Sequence, residues 1–492
     1  MACLKTKTSG NNGEKISKYK ILSVLCISKY FLFLFILKYS LVNKTTLITS
    51  LLMLTIFTSG YTQQFDKGKL DEFFNRLDEK KKAMGTLVIS RDGNIVYSRS
   101  IGYGQISDTA KKPLTSESRY RIGSITKMFT AAIIMQLVEE RKLELTATID
   151  RFFPQVPNAK KITIRQLLSH RSGVPNVKRE QNEAGNVNTL PMTKDDHLAL
   201  IVKAVPDFEP DTRAAYSNSG YFLLGLIIEK ITGKSYGTVL QEKIAAKIGL
   251  KDTYIATGNI DVNKNESLTY FILPGGEWKQ VPETHPSILF SAGAIVSSAG
   301  DLAKFITALF DGKIVSKQSL DQIKTMRDDE GFAMVTFPFA GKTFYGHTGG
   351  ADNYGAWIAY LPEEKLAVAY TTNAKVYPVK DIVSGAIDIF YNKPFEIPTF
   401  ESIAISTEIL DRYVGVYSIP GAPAKFMITR EGGTLYAKPP GAGSAVALEA
   451  TAESTFKIDN GTPTGIVLEF DAAKKQMVIK RNGGERVFTK EN

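Results

Sequence analysis

The chain has 492 residues, more than one ordinary domain needs, so two or three domains are expected. Hydrophobic residues make up 43% and charged residues 23%, which is typical of globular proteins and excludes a largely disordered chain. The net charge of +11 suggests nucleic-acid binding, but eight Lys and one Glu within residues 1–60 account for +7 of it. The remainder carries only +4, so we exclude a nucleic-acid partner.

Cysteine and histidine usage excludes metal and thiol chemistry in the folded part. The two cysteines, Cys3 and Cys26, both lie in the first 60 residues, which leaves no thiol nucleophile or disulfide elsewhere. The four histidines show no spacing typical of metal ligands. We therefore expect neither a metal nor a cofactor.

Residues 1–62 are predicted to be a leader. The apolar run Leu47–Phe57 follows a lysine and precedes small residues, a secretory pattern that places cleavage near Gly60–Gln63. The earlier run Tyr30–Leu37 is shorter than the roughly 20 residues of a membrane span. Either translation begins near Val42, or both runs form a membrane anchor. In both cases the folded part is expected to be exported, in the periplasm or outside the cell.

The folded part begins with a predicted helix and hairpin. Helical spacing of apolar residues predicts a helix over Asp66–Met84. An Asp-Gly turn between the apolar-rich runs Gly85–Ser90 and Asn94–Arg99 predicts a β-hairpin. The composition of Lys127–Glu140 then predicts a helix with Ser124 at its start. The free N–H groups there favour negative charge.

The middle of the chain predicts a helical insert within a sheet. Residues 141–310 have few β-type runs, and their clearest helices are Phe222–Thr232 and Asp301–Phe310. Strands at Phe344–Tyr345, Gly355–Tyr360 and Lys365–Thr371 are expected to return to the sheet. The active site should then lie in the crevice between sheet and insert. We assign residues 63–394 to this domain.

The last 85 residues differ in kind. The segment Pro394–Pro398 marks a linker, assigned to 395–407, and residues 408–492 predict a small antiparallel β domain, most simply a barrel. Its predicted strands are Ala424–Thr429, Thr434–Lys438, Val446–Ala450, Gly465–Phe470 and Gln476–Arg481.

Three short motifs carry the chemistry. Ser124 and Lys127 form a Ser-x-x-Lys motif, one helical turn apart. The motif is weak evidence alone, because two more occur, at Ser17–Lys20 and Ser454–Lys457. Tyr216 and Asn218 form a Tyr-x-Asn motif 89 residues later, and His347-Thr348-Gly349 follows 129 residues after that. The set supplies a nucleophile, two candidate bases and an amide, as in an enzyme that works through a serine ester.

The contexts of these motifs resemble one family. They are similar to the serine β-lactamase and penicillin-binding-protein superfamily, in the branch of class C β-lactamases, D-Ala-D-Ala carboxypeptidases and esterases. The similar stretches are Arg121–Phe129, Ile164–Gly173, Tyr216–Tyr221 and Ala292–Phe305, within residues 66–394. The resemblance implies an α/β fold, an antiparallel sheet flanked by helices with a helical insert. The terminal β domain resembles the lipocalin-like domains attached to some members.

The resemblance also implies roles. Ser124 is the nucleophile, and Lys127 and Tyr216 act as a coupled pair in which either could be the base. Asn218 holds the acyl amide of the substrate and orients Lys127. The backbone N–H groups of Ser124 and Gly350 form the oxyanion hole. His170 is expected to be structural, and His197 and His285 to lie in loops or at the surface.

His347 departs from the β-lactamase pattern, which usually has Lys at this position. With Thr348 and Gly349 it is expected to contact the substrate, and the imidazole is expected to gain its proton between about pH 5 and pH 8. The substitution favours a D-Ala-D-Ala carboxypeptidase, a D-aminopeptidase or an esterase over a β-lactamase. The substrate would be a D-amino-acyl peptide, a β-lactam or a small ester. A non-catalytic binding or sensor protein is the other alternative.

Overall fold

The computed structural model describes residues 65–177, 189–273, 276–400, 403–419, 425–438, 440, 445–458, 466–481 and 484–491. The predicted leader lies outside the described residues. Among the helices that are described, none has both the length and the apolar character that crossing a membrane requires.

The helices of the described residues are distributed along the whole chain. They are α1 (Lys67–Glu79), α2 (Thr126–Glu139), α3 (Ile164–Leu168), α4 (Lys194–Lys203), α5 (Asn218–Thr232), α6 (Tyr236–Leu240), α7 (Ala246–Ile248), α8 (Pro286–Gly293), α9 (Ala299–Phe310), α10 (Lys317–Lys324), α11 (Val379–Phe390) and α12 (Thr407–Tyr413). Short 3-10 turns lie at Gly123–Ile125, Ile149–Arg151, Val262–Lys264 and Pro362–Glu364, and a π-type turn lies at Gln241–Ala245.

The strands fall into a first group before residue 380 and a second group after residue 410. The first group is β1 (Ala83–Arg91), β2 (Asn94–Ile101), β3 (Tyr103–Ile106), β4 (Lys111–Pro113), β5 (Tyr120–Arg121), β6 (Tyr254–Ile255), β7 (Tyr270–Ile272), β8 (Trp278–Gln280), β9 (Ile295–Ser297), β10 (Val335–Phe339), β11 (Lys342–Ala351), β12 (Tyr354–Leu361) and β13 (Leu366–Lys375). The second is β14 (Gly415–Ser418), β15 (Lys425–Glu431), β16 (Thr434–Lys438), β17 (Val446–Ala447), β18 (Glu449–Ala452), β19 (Thr455–Ile458), β20 (Ile466–Asp471), β21 (Gln476–Arg481) and β22 (Gly484–Lys490).

The main sheet is assembled from two distant parts of the chain. Its six strands lie in the order β10-β11-β12-β13-β1-β2, and neighbouring strands are antiparallel. The hairpin β1–β2 and the strands β10–β13 therefore enclose the helical segment between them. This confirms the predicted α/β fold with a split sheet and a helical insert.

Side chains that alternate along β1 enter two different cores, because successive residues of a strand face opposite sides of a sheet. Leu87 and Ile89 pack with apolar residues of α1 and α11, whereas Val88 packs with the core that contains α2, α5 and α9. Helix α1 buries four apolar side chains, Leu70, Phe73, Phe74 and Leu77. Each contributes ~1.5–3 kcal/mol on full burial. The sheet is thus covered by helices on both faces.

The C-terminal strands form a nearly closed all-β barrel, as predicted. The nine-stranded order is β17-β16-β15-β14-β22-β21-β20-β19-β18, so the two edge strands follow each other in the chain. Its apolar core includes Leu435, Phe456, Leu468 and Met477. Ile403 N donates to Ala450 O at 3.1 Å, which joins the segment before α12 to the barrel. The domain boundaries remain predictions.

Candidate active site

Helix α2 is surrounded by protein on every side. All residues from Thr126 to Leu137 are buried, which is the pattern of a helix at the centre of a core. Lys127 lies in its first turn and is 0% exposed. Ser124 lies immediately before, within the 3-10 turn Gly123–Ile125, and is half-buried. The sequence therefore places an amine inside the protein, next to the serine at the helix start.

Three oxygen atoms surround the Lys127 amine. Lys127 Nζ lies 3.1 Å from Ser124 Oγ, 2.8 Å from Asn218 Oδ1 and 2.7 Å from the carbonyl oxygen of Ala292. Burial lowers the pKa of Lys127 to about 7, although the Glu330 carboxylate opposes the shift. At pH 7 about half of such amines are neutral, against roughly one in 3,000 for an unperturbed lysine. Lys127 is thus close enough to Ser124, and sufficiently neutral, to accept its proton.

The ring of Tyr216 also lies near the Lys127 amine. The Lys127 Nζ is 4.8 Å from the centroid of the Tyr216 ring, and 37% of the tyrosine surface is exposed. Burial raises the pKa of Tyr216 to about 12, partly opposed by a hydrogen bond with the Ser124 hydroxyl and reinforced by the charge of Glu330. At pH 7 a phenol with that pKa is ionised in roughly one molecule in 100,000. Tyr216 is therefore protonated at neutral pH, so that it can donate a proton.

The turn that carries Tyr216 and Asn218 is braced from two sides. Ser217 caps α5 by accepting from Gly220 N at 3.1 Å, and its own N–H donates to His170 Nδ1 at 3.0 Å. Asn176 Oδ1 accepts from Asn218 N at 2.5 Å, and Asn176 Nδ2 donates to Tyr216 O at 2.7 Å. The His170 ring also packs against the Tyr216 ring, with 4.4 Å between the ring centroids. His170 is structural, as predicted.

Strand β11 approaches the Ser124 turn so closely that only glycine fits. A Cβ on Gly349 would lie 1.9 Å from Ile122 O, and a Cβ on Gly123 would lie 2.5 Å from Gly350 N. Gly123 also has φ +52°, a conformation that other residues rarely adopt. The two glycines thus allow β11 to lie directly against the turn that carries Ser124.

His347 lies at the site but cannot change charge as expected from the sequence. It is 7% exposed, and its Nδ1 hydrogen-bonds to Thr348 O. Burial lowers the pKa of His347 to about 4, opposed by that hydrogen bond and reinforced by the Lys127 charge. The expected protonation between about pH 5 and pH 8 is therefore wrong, because the sequence does not reveal burial. Thr348 is half-buried beside it on β11.

Two residues of the site carried no sequence signal. Asn176 lies in a loop, as does Glu330, whose charge acts on both Lys127 and Tyr216.

The expectation that His197 lies in a loop or at the surface is wrong. His197 is 7% exposed, and its ring stacks on the Phe222 ring with 3.9 Å between the centroids. His285 caps α8 by accepting from Ser287 N at 3.2 Å. In the described part of the chain, no three His, Cys, Asp or Glu side chains form a metal-binding group.

Comparison with known proteins identifies the family. The family model described as Beta-lactamase matches residues 70–387. The chain is 27% identical over 404 residues to penicillin-binding protein 4* of Bacillus subtilis, which covers 76% of this chain and 88% of that protein.

Two solved structures are similar as well. The octameric penicillin-binding protein homologue from Pyrococcus abyssi has a TM-score of 0.61 and 28% identity, over 86% of this chain and 100% of that one. The D-amino acid amidase from Ochrobactrum anthropi SV3 has a TM-score of 0.57 and 25% identity, over 66% of this chain and 99% of that one. The chain therefore belongs to the β-lactamase family, and it is a serine hydrolase of the β-lactamase and penicillin-binding-protein kind.

Proposed function

We propose that this protein is an exported serine hydrolase that cleaves D-amino-acyl amides, short D-peptides or small esters through an acyl-enzyme on Ser124. The observation that carries the proposal is the 3.1 Å contact between Ser124 Oγ and a buried Lys127 amine whose pKa is lowered to about 7. A serine hydroxyl needs such a base within hydrogen-bond reach. Export rests on the secretory pattern in residues 1–62, which would also provide any membrane anchor.

Acylation follows from the contacts of Lys127. The neutral amine takes the proton of Ser124 as Oγ attacks the substrate carbonyl, and the Ser124 and Gly350 N–H groups bind the resulting oxyanion. Tyr216 donates its proton to the leaving group, and Lys127 returns a proton to Tyr216. Collapse of the tetrahedral intermediate leaves an ester on Ser124. Water then attacks that ester, with Lys127 and Tyr216 moving the protons in the reverse order.

The charges around the nucleophile favour neutral substrates. Neutral His347 occupies the position of a cationic lysine in β-lactamases, so this side of the site offers no fixed charge to a substrate carboxylate. The similarity to a D-amino acid amidase supports the D-amino-acyl class. Amides and esters without a carboxylate next to the scissile bond should therefore be cleaved faster than β-lactams.

A carboxypeptidase is the second candidate because a lysine, Lys375, lies near Gly350 of strand β11. Lys375 Nζ is 3.7 Å from the position that a Cβ on Gly350 would occupy, and it donates to Asp352 O at 3.0 Å. A substrate carboxylate could pair with it. If so, Lys375→Gln should lower kcat/KM about tenfold for a D-Ala-D-Ala peptide and leave a D-alanine amide unaffected, as expected for loss of a charged hydrogen bond of ~1.5 kcal/mol.

The test is hydrolysis of a D-amino acid amide, a D-Ala-D-Ala peptide, a chromogenic cephalosporin and a p-nitrophenyl ester by the wild type and Ser124→Ala. Loss of a nucleophile costs on the order of 10⁶ in kcat. Ser454→Ala is the matched control, because it removes a serine from another Ser-x-x-Lys motif, in the barrel. Mass spectrometry should locate the acyl group on Ser124. Undiminished hydrolysis by Ser124→Ala, or an acyl group elsewhere, would refute the proposal.

A further inference from the structure

Glu330 presents a buried oxygen atom to the active site. It lies in the loop between α10 and β10, and 29% of its side chain is exposed. Its Oε2 is buried and has no hydrogen-bond partner among the described residues. That oxygen lies 4.0 Å from His170 Nε2, an atom that is also buried and unpartnered in the same part of the chain. Unpaired buried polar atoms are costly, so this facing pair requires an explanation.

The hydrogen bond of Ser217 decides which nitrogen of His170 carries the proton. The Ser217 N–H donates to His170 Nδ1 at 3.0 Å, so Nδ1 is an acceptor. Burial and the charge of Lys127 hold the pKa of His170 well below its usual range, so the ring is neutral. A neutral imidazole with an acceptor Nδ1 has its proton on Nε2. The Nε2–H group therefore faces the Glu330 carboxylate.

The other charges near Glu330 are already paired. Arg171 lies 2.8 Å from Asp211 and also pairs with Asp328, and Arg327 lies 2.7 Å from the same Asp211. Asp329, the residue immediately before Glu330, is exposed. The titratable groups that face Glu330 from the site are Lys127, His170, Tyr216 and Tyr221, and His347 faces Lys127 from β11. The Glu330 charge thus acts on the site without a neutralising arginine.

We propose that Glu330 is a positioning residue, whose charge favours the His170 tautomer that the Ser217 N–H selects beneath the Tyr216 turn and stabilises the Lys127 ammonium in the free enzyme. The inference rests on the proposed function, because it assigns Lys127 the role of base. Glu330 touches no reacting atom. It acts through His170 on the geometry of the turn and through its field on the protonation of Lys127.

The variant Glu330→Gln tests the electrostatic effect of Glu330 on Lys127. Glutamine keeps the size of the side chain and an acceptor oxygen but loses the charge. Without that charge the Lys127 ammonium is less stable, so the amine should lose its proton at lower pH. We expect the acidic limb of kcat/KM against pH to move down by ~0.5–1 unit, less than for a fully buried pair because Glu330 is partly exposed. Relative to its own plateau, the variant should be about three- to fivefold more active than wild type at pH 6.

Asp329→Asn is the matched control, since it removes the same charge one residue away, at an exposed position. Its acidic limb should coincide with that of the wild type. An unmoved limb in Glu330→Gln, or an equal shift in Asp329→Asn, would overturn the inference. Equal loss of activity at every pH would also overturn it, as a purely structural effect.

A second measurement needs no variant. Imidazole ¹⁵N spectra of the histidine-labelled wild type should show His170 neutral with its proton on Nε2, and His347 neutral with its proton on Nδ1. A proton on Nδ1 of His170 would exclude the pairing with Glu330. These results are separable from the proposed function, because an active enzyme that depends on Ser124 could still show an unmoved limb or the other tautomer.

Discussion

The two walls of the active site are built from different kinds of group. The helical wall consists of Lys127, the Tyr216–Asn218 turn, His170 and Glu330, and four of its ionisable side chains have displaced pKa values. The sheet wall consists of β11 from His347 to Gly350, where the chemistry is in the backbone and the imidazole is neutral. In the proposed mechanism, the helical wall therefore controls proton transfer, and the sheet wall controls charge stabilisation and substrate fit.

This division predicts separable effects. Substitutions in the helical wall should change how activity depends on pH, because they alter the protonation of Lys127. Substitutions in the sheet wall should change the rate at every pH by the same factor.

The largest effect is expected from Lys127→Ala combined with Tyr216→Phe. Each single variant should lose about 10²–10⁴ in kcat, the usual range for a proton-transfer group. The double variant should lose little more, because both residues belong to one unit. The measurement is a double-mutant cycle in kcat/KM on one ester substrate. Losses that multiply would show that the two residues act independently.

Gly349→Ala should damage the sheet wall. Its Cβ would lie 1.9 Å from Ile122 O, a backbone atom that cannot move aside, so β11 must shift away from the Ser124 turn. Loss of an oxyanion contact lowers kcat by about 10²–10³. Gly258→Ala is the control, because no atom lies within 4 Å of its added Cβ. The acidic limb of Gly349→Ala should stay where it is in the wild type. A moved limb would show that the two walls are not separable.

The smallest effect concerns His347. Because burial lowers its pKa to about 4, the imidazole stays neutral from pH 5 to pH 8. The ratio of kcat/KM for a carboxylate-bearing and a neutral ester should then vary less than about twofold over that range, since both substrates depend equally on Lys127. A preference for the anionic substrate that rises on acidification would mean that His347 does titrate.

The sequence predicted those features that depend on local pattern. Ser124 and Lys127 are three residues apart, in the 3-10 turn and in the first turn of α2 that follows it, so their proximity follows from helical geometry. The hairpin β1–β2 and the strands β11–β13 also follow from local pattern, because each is an apolar-rich run in the sequence. They confirm the split sheet. The strands β14, β19 and β22 were missed because they are short or mostly exposed and carry a weak apolar pattern.

The burial of individual side chains and the approach of distant loops to the site could not be predicted from the sequence. Glu330 reaches the site from a loop 203 residues after Lys127, and neither its position nor its neighbours form a motif. His347 belongs to a recognisable motif, but its charge depends on burial that only packing reveals. Lys127 is the contrasting case, because an apolar helix such as α2 already predicts burial of any residue within it.

The pH dependence of kcat/KM in the wild type tests the central claim most directly. In the proposed mechanism the free enzyme loses one proton from Lys127 before Ser124 reacts, and burial brings the pKa of that group to about 7. We predict that kcat/KM for a neutral ester rises tenfold per pH unit below that value and then levels off, with a half-point near pH 7. A half-point above about pH 9, where ordinary lysines and tyrosines titrate, would contradict the account. So would a rate that does not change between about pH 5 and pH 9.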